Sequence, residues 1–362
     1  MLFKSEIENQ LLPLFRSKKC AILDAPTYSN VGDQLIWAGM ESFFLNNHIE
    51  CVHRCTCDTF LYKGLSIDTV VCLVGGGNFG DMWRGLQELK NKIVQLYPNN
   101  KVVIFPQSVF YNDNSLLEFD SEILAKHKDL YICARDTNSF KFLKKHFKNH
   151  VLLVPDMALY LSFNQLQSLD QCNKILLMQR EDKEKVDFSI FVDENVDVFD
   201  WPTRVDFSPI QIESFMHQNS QSHKIIRLAL RLTKKELLLR IVYFFVSRKM
   251  FRFVTDAKQS ISNRWKYLYM EINYLLYLNK KNDSALNGIV NSILFKYHLP
   301  LIIEYAVDFI SRYDEIYTTR LHGGVLALLL GKKVHLIDNN YGKISALYNT
   351  WLLENPNVEI LK

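Results

Sequence analysis

The chain of 362 residues contains 48% hydrophobic and 23% charged residues, with a formal net charge of +4. This composition excludes collagen-like, disordered and low-complexity classes, and the length predicts two domains. Charges interrupt the N-terminal apolar residues and no apolar run is long enough to cross a membrane, so we expect neither a secretory signal nor a spanning helix. Seven scattered cysteines without paired zinc spacing indicate reduced thiols and a cytoplasmic protein.

Predicted strands and helices alternate through the first half of the chain. Strands are expected at residues 20–26, 48–55, 69–74, 101–109, 130–135 and 151–159, and helices at 30–46, 81–97 and 136–147. The continuous apolar run at 69–74 is typical of a parallel strand buried on both faces, and the glycines at 75–77 are expected to end it. The alternation predicts a doubly wound α/β domain over residues 1–165.

The pattern starts again at residues 173–180 and predicts a second α/β domain over 173–362, with the boundary in the polar segment 163–172. Residues 210–290 break the alternation and are expected to form a basic helical insertion. Within it, residues 224–281 hold 14 Lys and Arg against three acidic residues, whereas the rest of the chain holds 29 against 36. Beyond the insertion we expect strands at 299–305, 315–320 and 334–338. We also expect three helices: one directly after the strand at 299–305, one at 323–330 and one at 343–353.

Two polar segments of the first half follow predicted strands, where open α/β sheets bind their ligands. Arg135 suits recognition of a carboxylate or phosphate, unless it forms an ion pair with Asp136 or another acid. The segment GGGNFGD (75–81) lets backbone N–H groups approach an anion or a sugar closely, although a tight turn also explains its glycines.

A third polar segment, NVGDQ (30–34), starts the first predicted helix of this alternation. Asn30 and Asp33 are both candidate helix caps, and Gly32 leaves room for a ligand at the helix tip. Asp33 and Asp81 are also candidates to accept protons from sugar hydroxyls.

The most informative segment is residues 318–347, which places Arg320 and His322 at the start of a helix that opens on Gly323 and Gly324. A helix N-terminus favours anions through its free N–H groups and dipole, and Lys343 adds a further cation. The pattern predicts a site for a small, highly charged anion. A buried histidine with a structural role is the other interpretation of His322.

Several common site motifs are absent from the sequence. There is no Walker-type phosphate loop, no dinucleotide fingerprint with a following acid, and no His-Glu-x-x-His or paired-cysteine metal motif. Nucleotide hydrolysis, dinucleotide redox chemistry and zinc hydrolysis are therefore disfavoured.

Taken together, the motifs resemble the polysaccharide pyruvyl transferase family. The matching pieces occur in the family's order: NVGDQ (30–34), GGGNFGD (75–81), FPQSV (105–109), Arg135-Asp136, VPDMAL (154–159), TRLHGGVLALLLGKKV (319–334) and the Tyr341/Lys343 region. Residues 210–290 match nothing in the family. The resemblance implies two Rossmann-like domains facing a cleft, as in GT-B glycosyltransferases, and pyruvyl transfer from phosphoenolpyruvate to two hydroxyls of one sugar. No metal or cofactor is expected.

The resemblance also implies roles for individual residues. Arg135, Arg320 and His322 are the expected catalytic and donor-binding residues, and His322 is our candidate general acid. Lys343, Gly323, Gly76 and Gly77 complete the expected donor site. Asn30, Asp33, Asn78 and Asp81 are the expected acceptor-binding residues.

Two other functions fit parts of the sequence. A GT-B-like glycosyltransferase that uses a nucleotide sugar would share the architecture and a basic diphosphate site. A non-enzymatic scaffold at a membrane surface would use residues 224–281.

The basic segment 224–281 itself has two interpretations. It resembles an amphipathic helix that docks the enzyme on an anionic membrane, at the inner face of the cytoplasmic membrane, where a lipid-linked oligosaccharide acceptor is held. The other interpretation is an ordinary helical insertion that packs on the second domain. We expect no nucleic-acid partner, because no recognition module accompanies the charge.

Overall fold

The computed structural model describes residues 2–163, 174–180, 196–203, 251–279, 284–338 and 342–361. Residues 164–172 of the predicted domain boundary, residues 210–250 and 280–283 of the predicted insertion, and Tyr341 of the last motif lie outside this set. Among the described helices, none combines the length and hydrophobicity that a membrane crossing requires.

The first half of the chain forms one seven-stranded sheet in which every described pair of strands is parallel. Its elements are α1 (Leu2–Leu11), β1 (Lys19–Ala25), α2 (Val31–Asn46), β2 (Glu50–Thr56), β3 (Val70–Leu73), β4 (Gly76–Gly80), α3 (Arg84–Leu96), β5 (Val102–Phe110), α4 (Asn114–Ala125), β6 (Leu130–Ala134), α5 (Thr137–His146) and β7 (His150–Leu153). The strand order is β2-β1-β3-β5-β6-β7, and β4 pairs with β5 off this path.

The second half forms a five-stranded parallel sheet with the order β12-β11-β10-β8-β9. Its described elements are β8 (Ile175–Met178), β9 (Val196–Phe199), α6 (Ile261–Leu278), α7 (Ser284–Ile293), α8 (Leu299–Ser311), β10 (Glu315–Thr318), α9 (Leu321–Leu329), β11 (Lys333–Ile337), α10 (Lys343–Leu347) and β12 (Val358–Leu361). The predicted α/β class is confirmed, and both sheets have the parallel order typical of doubly wound, Rossmann-like folds.

Local chemistry explains where the helices of the first half begin. The Asn30 side chain accepts a hydrogen bond from the Gly32 N–H at 3.1 Å and caps α2, as predicted. Asp113 caps α4 and Asp136 caps α5 by accepting from Ser115 and Ser139 backbone N–H groups. Each cap satisfies a backbone donor that the first helical turn leaves without a partner.

Three predicted elements differ from the structure. The strand expected at 299–305 is wrong, because this segment begins α8, with Pro300 in its first turn and Leu299, Ile302 and Ala306 buried along one face. A short apolar run does not distinguish a strand from a buried helix. The glycine segment after β3 is itself strand β4 (Gly76–Gly80), and the strand expected over 151–159 ends at Leu153, before a 3₁₀ turn at Met157–Tyr160.

One hydrophobic core spans the two halves of the chain. It contains Trp37 and Phe43 of α2 together with Trp265 of α6 and Leu326 of α9. A second, smaller core covers the opposite face of the first sheet. The described part of the predicted insertion therefore packs on the fold, since Trp265, Leu268 and Ile272 are fully buried.

Candidate active site

The topology of the sheets places the candidate site. In each sheet the strand order reverses next to its first strand, between β1 and β3 and between β8 and β10. Crevices at such reversals, outside the carboxyl ends of the strands, are where open α/β sheets bind ligands. A cavity of about 720 Å³ lies there, and its lining residues follow strands of both sheets.

The start of α2 forms one wall of this cavity. Asn30 donates to the Asp33 carboxylate at 2.7 Å, and both side chains line the cavity. Gly76, at a φ of +130°, lies under Asp33, because a methyl group there would come 3.2 Å from Asp33 Oδ1. Burial raises the pKa of Asp33, although His322, Tyr28, Arg135 and Asn30 act in the opposite direction. A carboxyl group with a raised pKa beside a histidine is typical of an acid or base in catalysis.

A buried carboxylate joins the two predicted cationic residues at the bottom of the site. Arg135 Nη1 donates to Asp156 Oδ2 at 2.8 Å, and His322 Nε2 lies 3.2 Å from the same oxygen. Burial alone would raise the pKa of Asp156, but His322 and Arg135 hold it well below the ordinary value. Asp156 is therefore ionised, and it fixes the orientation of the His322 ring. The predicted ion pair of Arg135 exists, but its partner is Asp156, while Asp136 caps α5.

Lys343 reaches the same place from the second half of the chain. A methyl group placed on Gly77 would lie 3.5 Å from Arg135 Nη2 and 3.7 Å from Lys343 Nζ. Two cations thus converge on a glycine backbone that leaves space for a ligand. Trp351 supports this arrangement, because its indole N–H donates to the Arg135 carbonyl at 2.7 Å.

Arg320 immediately precedes α9 and pairs with an acid of its own. Its Nε and Nη2 donate to the two carboxylate oxygens of Asp200 at 2.8 and 2.6 Å. Arg320 is only 7% exposed, yet it lines the cavity. The fork-to-carboxylate geometry fixes the plane of the guanidinium and lowers the net positive charge of the site.

Three of the predicted site residues do not line the cavity. Gly323 packs against β8, since a methyl group there would meet the Met178 sulfur at 2.4 Å. Asp81 accepts from the backbone N–H groups of Asn112 and Asp113 at 2.6 and 2.7 Å, which orders the loop before α4. Gly76 precedes the lining residue Gly77 in sequence and lies beneath Asp33. Gly323 and Asp81 thus have structural contacts and lie outside the lining of the cavity.

Asn78, another predicted acceptor residue, does line the cavity and has an unexpected partner. Its side-chain oxygen accepts from Lys90 Nζ at 2.9 Å, and Lys90 is only 1% exposed. The Asp24 carboxylate lies 3.7 Å from the same ammonium. Burial lowers the pKa of Lys90, and Asp24 opposes that shift.

Sequence reasoning missed four residues that shape the site. Asp200 directly follows β9, Arg180 lies two residues after β8, and Asp156 lies three residues after β7. A polar residue close behind a strand is the signal that singled out Arg135. Arg180 lines the cavity beside Thr319, whose hydroxyl accepts from the Arg180 backbone N–H at 3.0 Å. Lys90 gave no such signal, because it lies inside an amphipathic helix. Within the described residues, no group of three or more His, Cys, Asp or Glu is arranged to hold a metal ion.

Comparison with known proteins places this chain among relatives with a common description. The Bacillus subtilis (strain 168) protein named "Putative pyruvyl transferase EpsO" is 28% identical over 99% of this chain and 93% of its own length. "Pyruvyl transferase 1" of Schizosaccharomyces pombe is 30% identical over 40% of this chain and 39% of its own. A crystal structure of a functionally uncharacterised Klebsiella pneumoniae protein has a TM-score of 0.53 at 17% identity, over 100% of this chain and 99% of that one, which shows a similar fold.

The family model described as polysaccharide pyruvyl transferase matches residues 30–341, which include Asn30, Arg135, Arg320 and His322. The resemblance found in the sequence motifs is thereby confirmed. The chain belongs to the polysaccharide pyruvyl transferase family.

Proposed function

We propose that the protein transfers pyruvate from phosphoenolpyruvate to two hydroxyls of one sugar in a polysaccharide repeat unit, forming a cyclic ketal. The observation that carries this proposal is the convergence of Arg135, His322 and Lys343 on one end of the cavity. Phosphoenolpyruvate bears a carboxylate and a phosphate on three carbons, so it requires several cations close together. Membership of the family supports the same reaction class.

The reaction balances without an added oxidant or reductant. A proton adds to C3 of phosphoenolpyruvate, and C2 becomes an oxocarbenium-like centre that one sugar hydroxyl attacks. The bond between C2 and the phosphate oxygen breaks, inorganic phosphate leaves, and a second hydroxyl closes the ketal. The two hydroxyl protons balance the one gained at C3 and the one that leaves with phosphate.

Each step has a candidate group in the cavity. His322 is positioned by Asp156 to deliver the proton to C3, because a carboxylate on one ring nitrogen fixes the ring and its tautomer. Arg135, Arg320 and Lys343 hold the substrate carboxylate and the departing phosphate. Asp33, whose pKa is raised by burial, accepts a proton from the attacking hydroxyl.

The proposal extends to the arrangement of the site and the location of the acceptor. The reaction takes place in a GT-B-like cleft between two Rossmann-like halves, an arrangement supported by the two strand-order reversals that line one cavity. The acceptor is carried on a lipid at the inner face of the cytoplasmic membrane.

The test is an assay of the full chain with phosphoenolpyruvate and a panel of p-nitrophenyl glycosides. We expect phosphate release that depends on the acceptor, and a ketal product identified by mass spectrometry. His322→Gln should lower kcat by about 10²–10⁴-fold, the usual contribution of a general acid. His150→Gln, at an exposed histidine that starts β7, is the matched control and should retain activity. Transfer from a nucleotide sugar, or full activity of His322→Gln, would contradict the proposal.

A further inference from the structure

A second cavity of about 410 Å³ adjoins the candidate active site. The two cavities share Thr27, Tyr28 and Asp58 in their linings, so they lie side by side. The far side of the second cavity is formed by α6, through Tyr269, Asn273 and Asn279. This helix belongs to the stretch of the chain in which no family motif was found.

The lining of the second cavity differs chemically from that of the first. Its described residues provide hydroxyls, amides, one carboxylate and the apolar side chain of Leu276, and no Lys or Arg is among them. Asp58 is exposed at the junction and already accepts a hydrogen bond from the Thr27 hydroxyl. Such a surface matches a neutral ligand with many hydroxyl groups.

The wall is held in place by contacts outside the cavity. The Tyr269 ring stacks on Trp265 at a centroid distance of 5.0 Å and 15°, and on His298 at 5.9 Å and 24°. Asn279, at the C-terminus of α6, donates to Asn287 of α7. Thr59, one residue after Asp58, donates to Asn291 of α7 at 2.6 Å. Both sides of the cavity are thus fixed against the same helix, and the site is formed before a ligand arrives.

Asn273 has hydrogen-bonding capacity to spare at the middle of this wall. Its amide donates to the Tyr269 carbonyl at 2.7 Å, which uses one of its two N–H groups. An asparagine side chain offers two donors and two acceptor lone pairs. Within the described part of the chain, the remaining N–H and the oxygen have no other partner, and the residue is half-buried on the lining.

From these contacts we infer that the second cavity is a subsite for the sugar that neighbours the pyruvylated sugar in the acceptor. The inference rests on the proposed function for the identity of the first site. Helix α6, through Asn273 and its neighbours, selects between acceptors, while the residues of the first cavity hold the donor. A disaccharide that fills both cavities should bind more tightly than its terminal monosaccharide alone.

The experiment measures binding of matched p-nitrophenyl glycosides to the full chain by calorimetry, without phosphoenolpyruvate. The pairs are galactoside and lactoside, glucoside and cellobioside, and mannoside and mannobioside. We expect one pair or more to show about a tenfold preference for the disaccharide, as an additional set of hydrogen bonds would give. Asn273→Leu should reduce that preference at least fivefold, about 1 kcal/mol.

Asn263→Ala is the matched control, because Asn263 is an exposed asparagine on the same helix and does not line the cavity. It should keep the preference, and thermal melts should show that both variants are folded. The inference is overturned if no pair shows a preference, or if Asn273→Leu keeps it. Failure of the proposed function looks different, since the disaccharide preference would remain while phosphoenolpyruvate is not turned over.

Discussion

His322 packs so closely on the first turn of α2 that one methyl group should disturb the site. A Cβ on Gly32 would lie 2.6 Å from His322 Nδ1, which is well inside van der Waals contact. We expect Gly32→Ala to lower kcat/KM for phosphoenolpyruvate at least about tenfold, because the imidazole must shift from its bond to Asp156. Steady-state kinetics of the pure variant give the measurement.

The control for this change is Gly85→Ala. Gly85 is also the second residue of its helix, α3, and a methyl group there meets nothing within 4 Å. Alanine is the better helix former by up to about 1 kcal/mol, so this variant should be at least as stable as the parent and equally active. Equal activity of both variants would show that the contact between Gly32 and His322 does not matter.

Asp156 makes the stability of the site depend on pH. Asp156→Asn leaves the Arg135 charge buried without its partner, and at neutral pH we expect a loss of about 3–5 kcal/mol in the free energy of unfolding. The folded pKa of Asp156 lies below its ordinary value of 3.8, so the wild-type advantage is fully present above about pH 4. It is lost as the pH falls further, because the unfolded carboxyl then binds a proton that the folded one resists.

Urea unfolding of both proteins from neutral pH down to about pH 3 measures this difference. The gap in unfolding free energy between wild type and Asp156→Asn should narrow only in the acidic part of that range. A gap that stays constant would mean that another group controls the acid stability of the site.

The sequence identified the cations of the site but not their partners. Arg135, Arg320 and His322 stand in recognisable motifs at strand ends, so their positions in the fold followed from the α/β pattern. Asp156 and Asp200 became partners only through long-range packing, since Asp200 lies 120 residues from Arg320 in sequence. No local pattern specifies such a pair.

At the level of elements, strands buried on both faces were the most predictable part of the molecule. β3 (Val70–Leu73) is buried at all four positions, and its sequence is a continuous apolar run. The same kind of run at 299–305 belongs to α8, where only Pro300 and Glu304 are exposed, too few positions to reveal a helical period. Helix α4 and strand β12 were not predicted at all.

Helix α3 holds β4 through a charge that the sequence did not predict to be buried. Lys90 contacts Asn78 of β4 and the Asp24 carboxylate at the end of β1. Lys90→Met keeps the length of the side chain but leaves Asp24 buried without a cation, and it should cost about 3–5 kcal/mol of unfolding free energy. Chemical denaturation measures the loss.

The double variant Asp24→Asn/Lys90→Met tests the cause. If the loss comes from an unpaired buried charge, removing both charges should recover part of it, as for other buried ion pairs. The other outcome is a double variant that is less stable than Lys90→Met by as much as Asp24→Asn alone would cost. The packing of Lys90, and not its charge, would then support β4.

At the scale of the whole molecule, the two sheets share one large core, besides the smaller core that the first sheet has on its opposite face. The core cluster that contains Trp37 and Phe43 of the first half also contains Trp265 and Leu326 of the second. Two α/β units were predictable from the alternation of strands and helices, whereas this shared packing was not. Large apolar interfaces restrict relative motion of domains.

We therefore expect the chain to unfold as one unit. The protein has five tryptophans, and two of them, Trp37 and Trp265, are buried in the shared core from opposite halves. Incorporation of 5-fluorotryptophan gives each a ¹⁹F resonance, which Trp→Phe variants assign. In a urea titration the folded signals of Trp37 and Trp265 should disappear with the same midpoint, because the shared core loses one of its two sides when either half unfolds. Separate midpoints would show that each half unfolds independently of the other.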